Sequence, residues 1–382
     1  MKKALMYASV ASMIQQFNMN NISLLQELGY KVDVACNFEF GSTITNEKIE
    51  KLKDQLIKMN VNFYQIPVPR KITDIKNLRL SYKMTKDLMN EKKYDLIHCH
   101  SPIGGIICRL ANKHSKHYDL TRMIYTAHGF HFFKGNNPLK NFLFRNIERY
   151  GARYTDTLIT INKEDYAAAK KFKLRKNGTV EYVPGVGIDI DKINLIQGNK
   201  EELCKELNIP VDSILLLSVG ELNDNKNHKV VIECLPELPK NVHYLICGVG
   251  PLKEQHEELA KKLDVLDRLH LLGYRNDVIR IMKSCDVFIF PSKREGLGLA
   301  AIEAMACGLP LITSNRHGIL DYAQNGINAI TCNPVNHLEF LTALKNLEKN
   351  QLKNFGKLNY KLSFKYDIKN IQKIMYNNYK GD

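Results

Sequence analysis

An α/β chain of two doubly wound parallel-sheet domains is predicted by three observations. The chain has 382 residues, too many for one ordinary compact core and suited to two domains of roughly 150 to 200 residues each. Short apolar or β-branched runs alternate with helix-length segments, as βαβ units require. The alternation then restarts near the middle of the chain.

In chain order, the first strands read at residues 2–8, 31–36, 95–99, 123–126 and 157–161. The second set reads at 214–219, 244–247, 269–272, 287–290 and 311–313. Between the sets, Val183-Pro-Gly-Val-Gly187 ends regular structure and allows a hinge. The expected domains are residues 1–185 and 186–360, with 361–382 forming a last helix that returns toward the N-terminal domain.

Composition narrows the class. With 44% hydrophobic residues and no low-complexity tract, the whole chain should fold. The nine cysteines include no Cys-x-x-Cys pair and lie in apolar runs, which predicts reduced core thiols. Lys2-Lys3 followed by Ala4 to Ile14 imitates a signal peptide, but Tyr7, Ser9 and Ser12 within it fit a first β-strand better. No stretch approaches the roughly 18 apolar residues of a membrane span. A cytoplasmic chain, at most peripheral on the inner face of the membrane, is expected.

The net charge of +15 is unevenly spread. Residues 1–190 hold 30 Lys and Arg against 17 Asp and Glu, residues 191–350 hold 18 against 21, and residues 351–382 hold 7 against 2. A basic N-terminal half suits nucleic acid, an anionic membrane surface or a phosphorylated substrate, or is simply a solvated surface. Leu139 to Tyr150 can form a helix with Leu139, Phe142, Leu143, Ile147 and Tyr150 on one side and Lys140, Arg145 and Arg149 on or beside the polar face. Such a helix either rests on an anionic bilayer or packs on the sheet.

Several chemistries lack their signatures. Neither first strand is followed by Gly-x-Gly-x-x-Gly, and no Walker loop is present. Gly248-Val-Gly-Pro251 is either a tight turn or a nucleotide contact. His98-Cys-His100 alternates along a strand and lacks a zinc spacing.

The informative segment runs from Pro291 through Glu295-Gly-Leu-Gly-Leu299 and Glu303 to Gly308-Leu-Pro310. A strand gives way to a Gly-bearing turn and then to an Ala-rich helix from about Gly298, whose free first amides and dipole suit a diphosphate. Glu295 and Glu303 are separated by on the order of 10 Å. That span fits one carboxylate on hexose hydroxyls and the other on a ribose diol. Glu303, among Leu299, Ile302, Ala304 and Met305, needs a partner. A salt bridge to Arg294 or Arg316 is the alternative.

This segment resembles the E-x7-E motif of the retaining glycosyltransferases of family 4, which adopt the GT-B fold of two Rossmann-like domains facing each other across a cleft. Ser218-Val-Gly-Glu-Leu222 with Lys226, Leu245-Ile-Cys-Gly-Val-Gly-Pro-Leu252, Leu272-Gly-Tyr-Arg-Asn-Asp277 and Cys285-Asp-Val-Phe-Ile-Phe-Pro-Ser292 follow in the order of that family's donor domain. The resemblance implies that Glu295 holds the donor hexose, Glu303 the ribose and Lys226 the diphosphate. Gly296, Leu297, Gly298 and Leu299 complete the cradle, Gly248 lines it, and the turn at Gly273-Tyr274-Arg275 lies near the base. In Tyr125-Thr-Ala-His-Gly-Phe-His-Phe132, His128 matches the family's cleft histidine and joins Glu295 as a catalytic candidate. Ser12, Gln15, His100 and His131 are acceptor-side candidates. Where the family commonly has Arg after Val-Gly, this chain has Glu221. Lys229 or Arg294 then compensates, or Glu221 contacts the sugar. Asp189-Ile-Asp191 imitates the metal motif of the other glycosyltransferase fold but follows the hinge rather than a nucleotide-binding strand, and no metal or cofactor is expected.

The implied reaction moves a hexose or N-acetylhexosamine, with retention, from a UDP-sugar to a glycan or polyprenyl-diphosphate acceptor in capsule or exopolysaccharide synthesis. Nucleic acid is not an expected partner, since it would explain the charge but not the Glu295/Glu303 segment. The alternatives are a nucleotide-sugar epimerase or hydrolase, and a donor-binding regulatory subunit without turnover.

Overall fold

Seven strands form the first sheet in the computed structural model, which describes residues 1–42 and 44–381. They are β1 Lys2–Val10, β2 Tyr30–Asn37, β3 Asn62–Gln65, β4 Leu96–His100, β5 Arg122–Ala127, β6 Thr157–Thr160 and β7 Thr179–Tyr182. Their spatial order is β3-β2-β1-β4-β5-β6-β7, and every neighbouring pair runs parallel. The second sheet comprises β8 Ile214–Val219, β9 Val242–Cys247, β10 Leu269–Gly273, β11 Val287–Phe290, β12 Leu311–Ser314 and β13 Ala329–Cys332. Its order is β10-β9-β8-β11-β12-β13, again parallel throughout. Residues 1–186 with 369–382 make one unit, and 187–368 make the other.

Side-chain alternation explains why β1 lies inside a sheet covered on both faces. Ala4, Met6 and Ala8 enter one apolar cluster, and Leu5 and Tyr7 enter the other. A strand buried on both faces reads as a continuous apolar run. The helix Ile368–Lys380 contributes Ile371, Met375 and Tyr379 to the first cluster, one face at a four-residue spacing. Within the second unit, Ile188 N–H donates to the Tyr366 carbonyl at 2.9 Å and Ile368 N–H to the Ile188 carbonyl at 2.9 Å. The chain thus enters and leaves that unit at one place.

Three strands were not anticipated: β3, β7 and β13. Each is the edge strand of its sheet. The side chains of β3 and β7 are half-buried for the most part, so these two lack the apolar continuity that marks a central strand, while β13 is only four residues long.

Two helices of the first unit are joined by a buried ion pair. Arg109, on the helix Pro102–Lys113, meets Glu148, on the helix Pro138–Ala152, at 3.1 Å. The Tyr125 hydroxyl donates to the other Glu148 oxygen at 3.0 Å, Arg109 Nε–H donates to the Gly105 carbonyl at 2.9 Å, and the guanidinium lies 3.9 Å from the Tyr125 ring centre. Such a pair fixes geometry more than it adds stability. It also fixes which way the second helix faces. Glu148, Gly151 and Ala152 turn inward, while Leu139 and Phe142 are 77% and 69% exposed, with Leu143 and Tyr150 exposed beside them. Of the two alternatives for this helix, the structure shows packing through a different face, with the apolar stripe left outside; Ile147 alone of the five is half-buried.

Candidate active site

Strand order reverses between β8 and β11, and in an open α/β sheet the crevice beyond the strand ends at such a point is where ligands bind. The loops after β8 and β11 carry Lys226 and Glu295. Lys226 Nζ donates to Glu295 Oε1 at 2.7 Å and lies 5.0 Å from the centre of the Phe290 ring. Both side chains are largely but not fully covered, at 21% and 14% exposure.

The turn bearing Glu295 is held by its backbone carbonyls. Asn225 Nδ2–H donates to the Arg294 carbonyl at 3.0 Å, and Asn227 Nδ2–H to the Pro291 carbonyl at 3.1 Å. From the loop after β12, His317 Nδ1–H donates to the Glu295 carbonyl at 2.6 Å, and Gly318 N–H reaches the same oxygen at 3.1 Å. A side chain on Gly318 would collide with the Gly296 carbonyl. Asn225, Asn227, His317 and Gly318 were not foreseen, because residues that act on backbone carbonyls leave no spacing signal.

Gly298 precedes the helix Leu299–Ala306 with φ of +90°, and among the described residues no side chain caps its first amides. A Cβ on Gly298 would stand 2.5 Å from the Phe290 ring and 3.1 Å from the Tyr322 hydroxyl. That hydroxyl is buried and has no hydrogen-bond partner among the described residues. Leu297 is buried and Leu299 half-buried beside it. Glu303, one turn into the helix, is half-buried, and burial pushes its carboxyl up to about 7. Among the described residues no side chain pairs with it. Arg316 instead donates to Asn315 at 2.9 Å and Asn333 at 2.9 Å, so it is not the salt-bridge partner the alternative required.

Other candidates have structural occupations. Gly248 packs so closely on the Gly220 carbonyl that any side chain would overlap it, which accounts for the glycine as a tight turn. Arg275 forms a two-pronged pair with Asp277 at 2.8 Å and reaches Glu206 at 2.7 Å. The Arg275 hydrogen bond is the largest influence holding the Asp277 carboxyl far below the usual range. Tyr274 next to it is exposed. Glu221 is exposed and accepts from Asn223 at 3.0 Å. Lys229 pairs with Glu233 at 3.5 Å on the surface. Asp189 caps a helix by accepting from Lys192 N–H at 2.9 Å, and no cluster of three metal-ligating side chains occurs among the described residues.

In the first unit the ends of β1, β4 and β5 come together at the corresponding reversal between β1 and β4. Ser9 Oγ accepts from Gly104 N–H at 3.1 Å. Ser101 follows β4 with φ +70° and ψ 149°, a region nearly reserved for glycine that costs about 1–3 kcal/mol and concentrates at functional sites. His100 Nδ1 and His128 Nε2 are 3.0 Å apart. Burial lowers His128 to about 4 and holds His100 well below its ordinary value. Ser12 is buried, with its amide on Ser42 Oγ at 3.2 Å, and Gln15 is half-buried. His131 packs its ring on Phe144 at 5.3 Å, whereas His100 and His128 form a direct pair.

Comparison with known proteins follows the same division. Residues 8–162 match the family described as glycosyl transferase 4-like, and residues 199–362 match glycosyl transferases group 1. The chain is 31% identical over 332 residues to the protein named "Putative glycosyltransferase EpsD" of Bacillus subtilis, covering 86% of this chain and 82% of that one. It is 28% identical over 313 residues to the UDP-Gal:alpha-D-GlcNAc-diphosphoundecaprenol alpha-1,3-galactosyltransferase of Escherichia coli, covering 80% and 76%. HepE of Anabaena, solved in complex with UDP and glucose, shares the fold at a TM-score of 0.75 with 16% identity over the whole of both chains. Two Rossmann-like parallel-sheet units are those of the GT-B fold, and the chain belongs to the group 1, family 4-like glycosyltransferases and is a transferase enzyme.

Proposed function

We propose that the chain transfers a hexose or N-acetylhexosamine, with retention, from a UDP-sugar to a polyprenyl-diphosphate-linked or free glycan acceptor in capsule or exopolysaccharide synthesis, without metal or cofactor. One observation carries the reading: the Lys226–Glu295 pair stands at the β8/β11 reversal directly ahead of an uncapped helix start. An ammonium and free amides receive the diphosphate, Glu295 takes hexose hydroxyls, and Glu303 takes the ribose diol. The bond from the anomeric carbon to the diphosphate oxygen breaks, the acceptor oxygen bonds to that carbon on the same face, and its proton passes to the departing diphosphate. His128 of the first unit orients a substrate hydroxyl. The names of the Escherichia coli relative and of HepE support a uridine-linked donor, and the former supports a lipid diphosphate acceptor.

Binding and turnover across a panel of nucleotide sugars test this. The expected result is one preferred UDP-sugar, consumed only when lipid extract supplies an acceptor. No nucleotide-sugar binding would overturn it, and consumption without acceptor would favour a hydrolase or epimerase.

Contact with an anionic membrane belongs to the same reading. Leu139, Phe142, Leu143 and Tyr150 are exposed on one helix that also carries Lys140, Arg145 and Arg149, while its only acid, Glu148, is buried against Arg109. No helix among the described residues is long and apolar enough to cross a membrane. Replacing both Phe142 and Leu143 by Ser should weaken sedimentation with phosphatidylglycerol vesicles about tenfold or more, from the lost apolar burial. Unchanged sedimentation would sink the proposal.

A further inference from the structure

Two histidines of the first unit have partners that decide where their protons sit. His100 is fully enclosed. Its Nε2 faces Met6 Sδ at 3.2 Å, and its Nδ1 faces His128 Nε2 at 3.0 Å. A thioether sulfur has lone pairs and no proton to give, so the ring nitrogen against it carries the N–H. A neutral imidazole has one N–H only, and desolvation by burial keeps both rings neutral. His100 Nδ1 is therefore a lone pair. The hydrogen bond across the 3.0 Å gap must then be donated by His128 Nε2–H.

We infer that His100 is a positioning residue that locks His128 in its Nε2–H form and so makes His128 Nδ1 a hydrogen-bond acceptor for a substrate hydroxyl. The inference rests on the proposed role of His128 at the substrate. Nothing among the described residues occupies Nδ1, the ring is half-buried, and a cavity of about 30 Å³ beside it is lined by Phe17, Asn18, Thr126, Gly185 and Gln372, room for about one hydroxyl or water. A histidine so arranged accepts and orients. It has no proton to give at Nδ1, so departure of the diphosphate draws nothing from it.

The arrangement also explains why β4 alternates histidines. His98 and His100 point to the same face, with ring centres 4.1 Å apart. His98 is satisfied on both nitrogens, by the Tyr379 hydroxyl at 2.8 Å and the Thr126 hydroxyl at 2.8 Å. It thereby holds the neighbouring rings in place without competing for the His128 proton.

Long-range ¹H–¹⁵N correlation on the full chain, labelled at histidine and held near neutral pH, reads the tautomers directly. Protonated Nε2 with bare Nδ1 on both His100 and His128 is expected. A proton on His128 Nδ1, or a cationic ring, would overturn the assignment. His100→Leu should release His128 into a mixture of tautomers and lower kcat by about tenfold or more, in kcat rather than in donor KM. His100→Asn, whose Oδ1 stands near the place of Nδ1, should recover the Nε2–H form and part of the rate. Recovery of neither would count against the inference. If the tautomers are as expected but His128→Ala transfers sugar at the wild-type rate, the role of His128 at the substrate fails, and the acceptor function fails with it.

Discussion

Glu295→Gln should lower sugar transfer by on the order of 10²–10³-fold, the range found when one oriented hydrogen-bonding group at a reacting centre is removed. The fold should survive. The turn is held through its carbonyls by Asn225, Asn227, His317 and Gly318, none of which touches the carboxylate, and Gln keeps the shape. What is lost is the charge beside Lys226 and the second strong acceptor for hexose hydroxyls. Comparing kcat/KM with the melting temperature separates the two effects. A variant that melts like wild type and transfers within a few-fold of it would remove Glu295 from the mechanism. Lys226→Met adds a cycle: if the lysine serves mainly to hold Glu295, the double variant should be little worse than the worse single one, because coupled residues are non-additive.

Glu303→Gln should act in two directions. Burial raises the Glu303 carboxyl from 4.5 to about 7. The folded state binds this proton more tightly than the unfolded chain, so the contribution to stability is full below 4.5 and is lost as pH rises through 7. Near pH 8 the loss amounts to about 3 kcal/mol. The neutral amide escapes it. The variant should therefore be more stable than wild type at pH 8 by up to about 3 kcal/mol, and nearly equal to it at pH 4. Donor binding should move the other way. A ribose diol donates to the ionised carboxylate, so wild-type affinity should rise with pH up to about 7, by at most about tenfold per unit, and the variant should bind weakly without that slope. Urea melts at the two pH values, with UDP titrations alongside, provide the check. A flat difference in stability would show that the carboxylate meets no burial cost, and an unaltered pH slope of binding would show that it does not meet the nucleotide.

What the sequence disclosed follows from burial and chain locality. Central strands such as β1 and β9 are covered on both faces and stand out as apolar runs. The edge strands β3 and β7 carry too many half-exposed polar side chains to do so, and β13 is a four-residue run, Ala-Ile-Thr-Cys, too short to stand out. Lys226, Glu295 and Glu303 lie in short stretches whose residue types and order are informative in themselves. Their supports are not legible that way. His317 and Asn225 act on carbonyls of a turn to which they have no sequence relation. His100 and His128 could each be named from the sequence, but their pairing depends on the parallel register that sets His100 opposite Thr126, two residues before His128. The apolar stripe of the helix Pro138–Ala152 was visible as a pattern. Which way it faced was decided by Arg109 and Glu148, 39 residues apart.

The glycine contacts bear on how the specificity of this enzyme can change. Gly248 lies against the Gly220 carbonyl and Gly318 against the Gly296 carbonyl, so the contours of these turns are made by backbone atoms common to every amino acid. Around them, the side chains of Glu221, Val249 and Tyr274 are exposed. Exposed side chains on such a rim can change while the backbone contour stays, whereas substitution at either glycine forces that contour to shift. Directed evolution of donor choice should randomise the first group and leave the second untouched.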